Sequence, residues 1–438
     1  MRAAEPIDLK IDGGFVFDTE LGVFRPNTGI GVNDGRFVAA ADATESLTLT
    51  DDQYILPGFI DCHAHYNVRL IKRRREEFAY MPVLYLASGA TVTFSAGEFD
   101  PGGMVRLREK IETGEQIGPR LITSGPYFGR ARPGWDAKRP EEQLRKEIRY
   151  WVKQGAGGFK AKSIDPESLR ILIDEAHKHG ITVTGHLDSG YRNSVNPRDA
   201  ISMGIDRIEH FLGGDAMPNS QSAYRSLQNI RADTPQFKEI CQHFVRNGVF
   251  FDCTLTAYGY LGRTAETNLE EYQYWIDERQ FFTEYMQRVA KERKPASGME
   301  IYQRIYQAKQ QTIRAFYEAG GMITLGTDHV SDGNHVAGFG IHREIDALVR
   351  NGIPERDAIR IATINGAKAL KIDADHGSIT LGKFADCVIV RCNPLENIRN
   401  TRNVLKVIRA GEVYDAAELL DSVRGKIGPT SKEDESNW

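Results

Sequence analysis

The chain is poor in cysteine, with five in 438 residues: Cys62, Cys241, Cys253, Cys387 and Cys392. The number is odd, and no pair has the spacing of a zinc finger or a redox motif. A disulfide framework is therefore excluded, and the residues read as small buried thiols. Long apolar runs are missing as well. The longest are strand-sized, so nothing in the text spans a membrane. Residues 1–20 carry acids and glycines where a signal peptide needs an apolar core, which reads as a cytoplasmic protein. Excess positive charge is absent: the formal net charge is -4, with no basic footprint for nucleic acid or anionic lipid. Internal repeats and low-complexity tracts are also lacking.

The composition that remains is that of a large globular protein, 41% hydrophobic and 26% charged. Residues 6–56 read as short strands separated by Asp-Gly-Gly and Asn-Asp-Gly turns. A second β-rich text, GSITLGKFADCVIVR followed by VLKVIRAGEVYD, closes the chain. The two ends are expected to pair into one small β-sandwich, built from 1–57 and 377–424, with 425–438 as a frayed polar tail. Between them, apolar strands alternate with amphipathic helices, the pattern of a parallel sheet. Eight strands are predicted: 55–61, 90–96, 120–126, 157–163, 181–187, 206–212, 249–255 and 322–328. The clearest helix is Pro166–Lys178, with Asp165 as N-cap, proline at the first position and Gly180 as a stop. The expectation is an α/β fold, a (β/α)₈ TIM-type barrel over 58–376. Residues 268–319 read as two helices broken near 294–298. The first is rich in aromatics (Tyr272, Tyr274, Trp275, Phe281, Phe282, Tyr285), as a packed wall, an oligomer surface or a lid.

The chemistry concentrates in ILPGFIDCHAH (55–65). His63 and His65 stand two apart at a strand end and share a face, so both imidazoles can grip one metal ion. Lys160, His186, His210 and Asp328 recur downstream at the ends of predicted strands, where barrel active sites form. One such residue alone is structural more often than not. Six at the same end point to a metal centre. Lys160 and Lys162 share a face, and either could join it. His329, His335 and His342 are read as non-ligands.

These residues and their surroundings, PGFIDCHAH, GAGGFK, GH at 185–186, IEH at 208–210, LGTD at 325–328, ATINGAKAL at 362–370 and the terminal β text, resemble the amidohydrolase superfamily. The likeness is to its imidazolonepropionase-like and prolidase-like branch and covers nearly the whole chain. It implies a binuclear hydrolase of an exocyclic amide-type C–N bond in a dipeptide, an N-acyl amino acid, or an amide or urea xenobiotic. It further implies two divalent ions, usually Zn2+ with Mn2+ or Co2+ as substitutes. One ion would take His63, His65 and Asp328, the other His186 and His210, with carbamylated Lys160, which aligns with the family pattern, as the bridge. Hydroxide between the ions would attack the carbonyl while Asp328 shuttles the proton. The resemblance also implies a small-molecule substrate and a homo-oligomer. Arg130, Arg132, Tyr258 and Lys162 are the residues expected to face substrate. The alternative is a mononuclear deaminase or cyclic-amide hydrolase on the same barrel. The lysine argues against it, as does Leu187-Asp188 in place of an acidic partner directly after His186. A non-enzymatic scaffold ranks last, because the ligand set is complete.

Overall fold

The structure, a computed structural model, describes residues 6–71, 73–262, 276–292 and 300–438. Each of the eight predicted segments contributes a parallel strand, although the first, 55–61, is divided at Gly58, with 55–57 ending a strand of the terminal sheet. In chain order the parallel strands are Phe59–Ala64, Ala90–Ser95, Arg120–Ile122, Gly158–Lys162, Thr182–His186, Arg207–Glu209, Phe250–Asp252 and Met322–Thr324. They pair in parallel as one sheet of three strands and one of five. Backbone bonds also cross both gaps between the sheets. Phe128 donates to the Lys160 carbonyl and accepts from the Lys162 amide at 2.9 and 2.8 Å, and the Cys62 amide reaches the Leu325 carbonyl at 2.9 Å. The strands are buried on both faces, as expected of parallel strands wrapped by helices.

Local chemistry sets the helices. Pro166–Lys178 begins where the Asp165 carboxylate accepts the Ser168 amide at 2.9 Å, and it buries Leu169, Leu172, Ile173 and Ala176 on one face. A cap of this kind stabilises a helix by about 1 kcal/mol. Gly180 at φ +69° then turns the chain into the fifth strand.

Both chain ends build one continuous eight-stranded sheet. Ala43–Pro57 is its shared centre, parallel to Ile7–Asp18 on one side and antiparallel to Cys387–Arg391 on the other. A register shift near Gly13 lets the long strands bend. The sheet then encloses its own small core of Leu9, Ile11, Val32, Phe37, Leu49, Ile55, Cys387, Ile389 and Ile408.

Three expectations need correction or restriction. The 425–438 tail is docked, not frayed: Ile427 is fully buried, and the short helix Lys432–Asn437 lies against the loop after the first parallel strand. Four cysteines are buried as expected, but Cys392 is exposed. In the 268–319 region, Phe281, Phe282 and Tyr285 are packed into the core, followed by helices Glu284–Glu292 and Glu300–Glu318. Tyr272, Tyr274, Trp275 and the expected break at 294–298 lie outside the described residues. Among the described residues no helix is long and apolar enough to cross a membrane.

Candidate metal centre

At the C-terminal ends of the parallel strands, side chains distant in sequence converge. His63 Nε2 lies 3.4 Å and His65 Nε2 3.0 Å from Asp328 Oδ1, and His210 Nε2 lies 3.8 Å from Asp328 Oδ2. One donor atom each from His63, His210 and Asp328 falls within 4.8 Å of the others. The His186 ring is 4.5 Å from the His210 ring. Lys160 Nζ is 3.4 Å from His63 Nε2 and also pairs with the buried Glu209 carboxylate. The structure thus brings all six residues together. Lys162, two positions further along the same strand face, lies on the wall of the adjoining cavity.

Backbone geometry explains why Glu209 and His210, adjacent in the chain, both face inward. The sixth strand ends at Glu209, and His210 takes φ +63°, which swings its ring to the side that alternation denies it. Its Nδ1 is fixed by the Thr254 hydroxyl at 2.6 Å. Among the described residues its Nε2 is buried without a hydrogen-bond partner. Such an orphan is costly unless something else binds it. His63 is oriented in the same way, with Nδ1 at 2.9 Å from Asp252 Oδ2, leaving Nε2 toward the cluster. A carboxylate behind a histidine is the arrangement that orients metal ligands. Burial pushes the Asp252 carboxyl up to about 8, against the opposing Arg207 charge.

The electrostatics suit ligation. Burial, and next the Lys160 charge, holds His63 well below the ordinary imidazole value, so its ring is neutral. Burial and then the Lys162 charge hold Lys160 well below the ordinary lysine value, favouring the free amine. Burial disfavours the Asp328 carboxylate, but His63, His65 and His210 outweigh it and hold the acid well below its usual range. Neutral imidazoles, an ionised carboxylate and a nucleophilic amine are the donor forms that divalent ions require.

A cavity of about 230 Å³ opens beside this cluster. His186 and Asp328 form its floor, Arg69, Arg74 and Lys162 bring positive charge, and Tyr224, Tyr258, Tyr260 and Tyr302 supply aromatic wall. Among the described residues, Arg74 and Lys162 form no ion pair with a carboxylate. Arg130 and Arg132 do not line this space. Arg130 is exposed, and Arg132 is held by Glu147 at 2.6 Å and stacks on Trp135. The cationic lining comes instead from the hairpin after the first strand.

Sequence reasoning missed Glu209, Asp252, Tyr224 and Arg69. Asp252 had a signal, since Phe250, Asp252 and Thr254 share strand parity and an inward carboxylate on a barrel strand is unusual. Glu209 had none, because alternation with His210 points it outward.

The chain belongs to the amidohydrolase family, matched over residues 54–414, a family of enzymes that hydrolyse carbon–nitrogen bonds. A Xaa-Pro dipeptidase structure with bound methionine superposes with a TM-score of 0.69 at 22% identity, covering 93% of this chain and 99% of that one. Phenylurea hydrolase B superposes at 0.66 and 16% identity, covering 96% and 100%. These likenesses carry the fold, a TIM-type barrel with a second domain. In sequence, a 5-methylthioadenosine/S-adenosylhomocysteine deaminase of Thermoanaerobacter pseudethanolicus is 42% identical over 77 residues. The match spans 16% of this chain and 17% of the relative's length.

Proposed function

We propose that the protein is a binuclear metal-dependent hydrolase of exocyclic amide-type C–N bonds. In this reading the two parallel sheets form one closed (β/α)₈ barrel. His63, His65 and Asp328 would hold one divalent ion and His186 and His210 the other, with Lys160, its neutral amine carbamylated by CO₂ with loss of a proton, as the further ligand. One observation carries the reading: a buried lysine, disfavoured as ammonium, stands 3.4 Å from a ligand imidazole in the same cluster as an orphaned histidine nitrogen. A protonated lysine would repel a cation, whereas a carbamate supplies two oxygens.

Bound divalent ions lower the pKa of water from about 15.7 toward 7 and polarise a carbonyl. The chain's own residues supply the rest. Asp328, ionised among three imidazoles, takes a proton from the attacking water on its carboxylate and returns it to the leaving nitrogen. The acyl carbon gains the hydroxyl as the C–N bond breaks. Arg74 and Lys162, which have no carboxylate partner among the described residues, favour a substrate that carries an anionic group, and the tyrosine wall favours a planar or apolar side chain beside it. A dipeptide or an N-acyl amino acid satisfies both.

The test is a screen of dipeptides and N-acyl amino acids on metal-loaded protein, with metal content measured in parallel. The parent is expected to hold two ions per chain. Asp328→Asn is expected to lower turnover by about 10²–10⁴-fold while retaining much of the metal. Full activity in that variant would sink the role given to Asp328. The 77-residue likeness to a deaminase supports a second reading, a mononuclear enzyme acting at a C=N centre. One ion per chain, with no hit among amides, would favour it.

A further inference from the structure

The hairpin that carries the cavity's arginines is held unevenly. Its strands, Asn67–Arg69 and Arg74–Glu76, pair antiparallel. The inner strand is pinned to the loop after the eighth strand, where the Arg69 amide donates to the Ser331 carbonyl at 2.8 Å. At the tip Leu70 is buried in the main core, whereas the Ile71 side chain beside it is 53% exposed. That exposed side is tied to the C-terminal tail. The Ile71 amide donates to Glu435 Oε1 at 2.8 Å, and the Arg73 guanidinium donates to the Glu435 carbonyl at 2.9 Å. The other carboxylate oxygen of Glu435 accepts the Tyr285 hydroxyl at 2.6 Å, from helix Glu284–Glu292 in the wall.

The tail is itself firmly seated. The Thr283 amide donates to the Ile427 carbonyl at 3.1 Å, the Thr283 hydroxyl reaches the Pro429 carbonyl at 2.5 Å, and Trp438 packs on the main core. Glu435 therefore joins three segments at one carboxylate: the hairpin tip, the helical wall and the tail.

We propose that Glu435 is a positioning residue for anionic substrates, clamping the hairpin tip so that Arg74 stays over the cavity. It touches no reacting atom and acts through the hairpin. The inference rests on the reading above only in taking the cavity as the substrate site. Charge-assisted hydrogen bonds of this kind are strong enough to fix the exposed side of a turn whose other side is anchored by Leu70.

The experiment compares the full-length parent with Glu435→Ala, Glu435→Gln and Arg74→Ala. Hydrogen exchange of residues 67–76 reads the clamp directly. Calorimetric binding of 3-phenylpropanoate, which has no scissile bond, and of the uncharged ketone 4-phenylbutan-2-one reads the consequence without any turnover. Glu435→Ala is expected to speed exchange at Ile71 and to weaken binding of the carboxylate probe by about tenfold. The uncharged ketone should bind as to the parent, and metal content should not change. Glu435→Gln, whose side-chain oxygen can still accept the Ile71 amide, should stay near the parent, and Arg74→Ala should set the largest loss. Unchanged exchange and affinity in Glu435→Ala would overturn the proposal, as would equal weakening of both probes. A parent that binds the carboxylate probe yet cleaves no amide would remove the hydrolase reading and leave the clamp standing.

Discussion

Glu98 gives the sharpest stability test. It follows the second parallel strand, is 4% exposed, and accepts the Ser124 amide at 2.8 Å and the Ser95 hydroxyl through Oε1. Among the described residues its Oε2 is buried without a partner. Burial pushes the carboxyl from 4.5 to about 8, against the opposing hydrogen bonds of Ser95 and Ser124. The folded state thus holds this proton more tightly than the unfolded chain. Its stabilising contribution is fully present below about pH 4.5, shrinks as pH rises, and is gone above about pH 8. A rise of about 3.5 corresponds to at most about 5 kcal/mol, or about 1.4 kcal/mol for each pH step in that window. Glu98→Gln keeps an acceptor for Ser124 and cannot ionise. Its stability relative to the parent should therefore increase steadily between about pH 5 and pH 8 and level off above. Urea midpoints of both proteins at constant slope across that range measure the difference. A gap that stays constant with pH would show that Glu98 titrates normally in the folded protein and would refute the argument.

Two further outcomes follow from the centre itself. Lys160→Ala should lose metal and activity together, and a small carboxylate such as formate, standing in for the carbamate, should restore part of both; rescue equal to that of chloride would remove the bridging role. Asp252→Asn should leave the fold intact but weaken metal binding about 10- to 100-fold in competition with a chelator, because His63 loses the carboxylate that orients it. Unchanged competition would mean that the His63 ring is fixed by packing alone.

Much of the scaffold was legible because local rules and tertiary demands coincide there. All eight inner segments form strands, although alternation stops before Ser163, His210 and Thr254, and the Asp165–Pro166 start of one helix follows directly from capping chemistry. The approach of the two chain ends was legible from their shared β composition, although hydrogen bonding joins them as one bent sheet. The tail was misjudged because composition weighs every residue equally. A few residues, among them Ile427, Glu435 and Trp438, fasten an otherwise polar segment. Arg74 was half legible: the basic run 72–75 reads in sequence either as a solvated face or as a contribution to the mouth, and the hairpin's return over the strand ends turns Arg74 toward the cavity.

The residues that sequence periodicity handles worst are the ones that point to function. Ser163, His210, Thr254 and Asp328 all take left-handed φ values, from +45° to +63°, and stand just beyond the fourth, sixth, seventh and eighth parallel strands. Each costs about 1–2 kcal/mol in a residue other than glycine. Other non-glycine residues with left-handed φ, such as Asp34, Lys371 and Ala410, lie in turns elsewhere, but these four share one end of the strands. Two of them are ligand candidates, and a third, Thr254, fixes the ring of the first through its hydroxyl. Ordinary strand continuation would send the His210 ring into the outer helical layer and leave Glu209 alone inside. The strained turn is what places an imidazole beside a carboxylate from consecutive positions. The fold sustains that strain at the strand ends because the cluster needs side chains that alternation would have turned away.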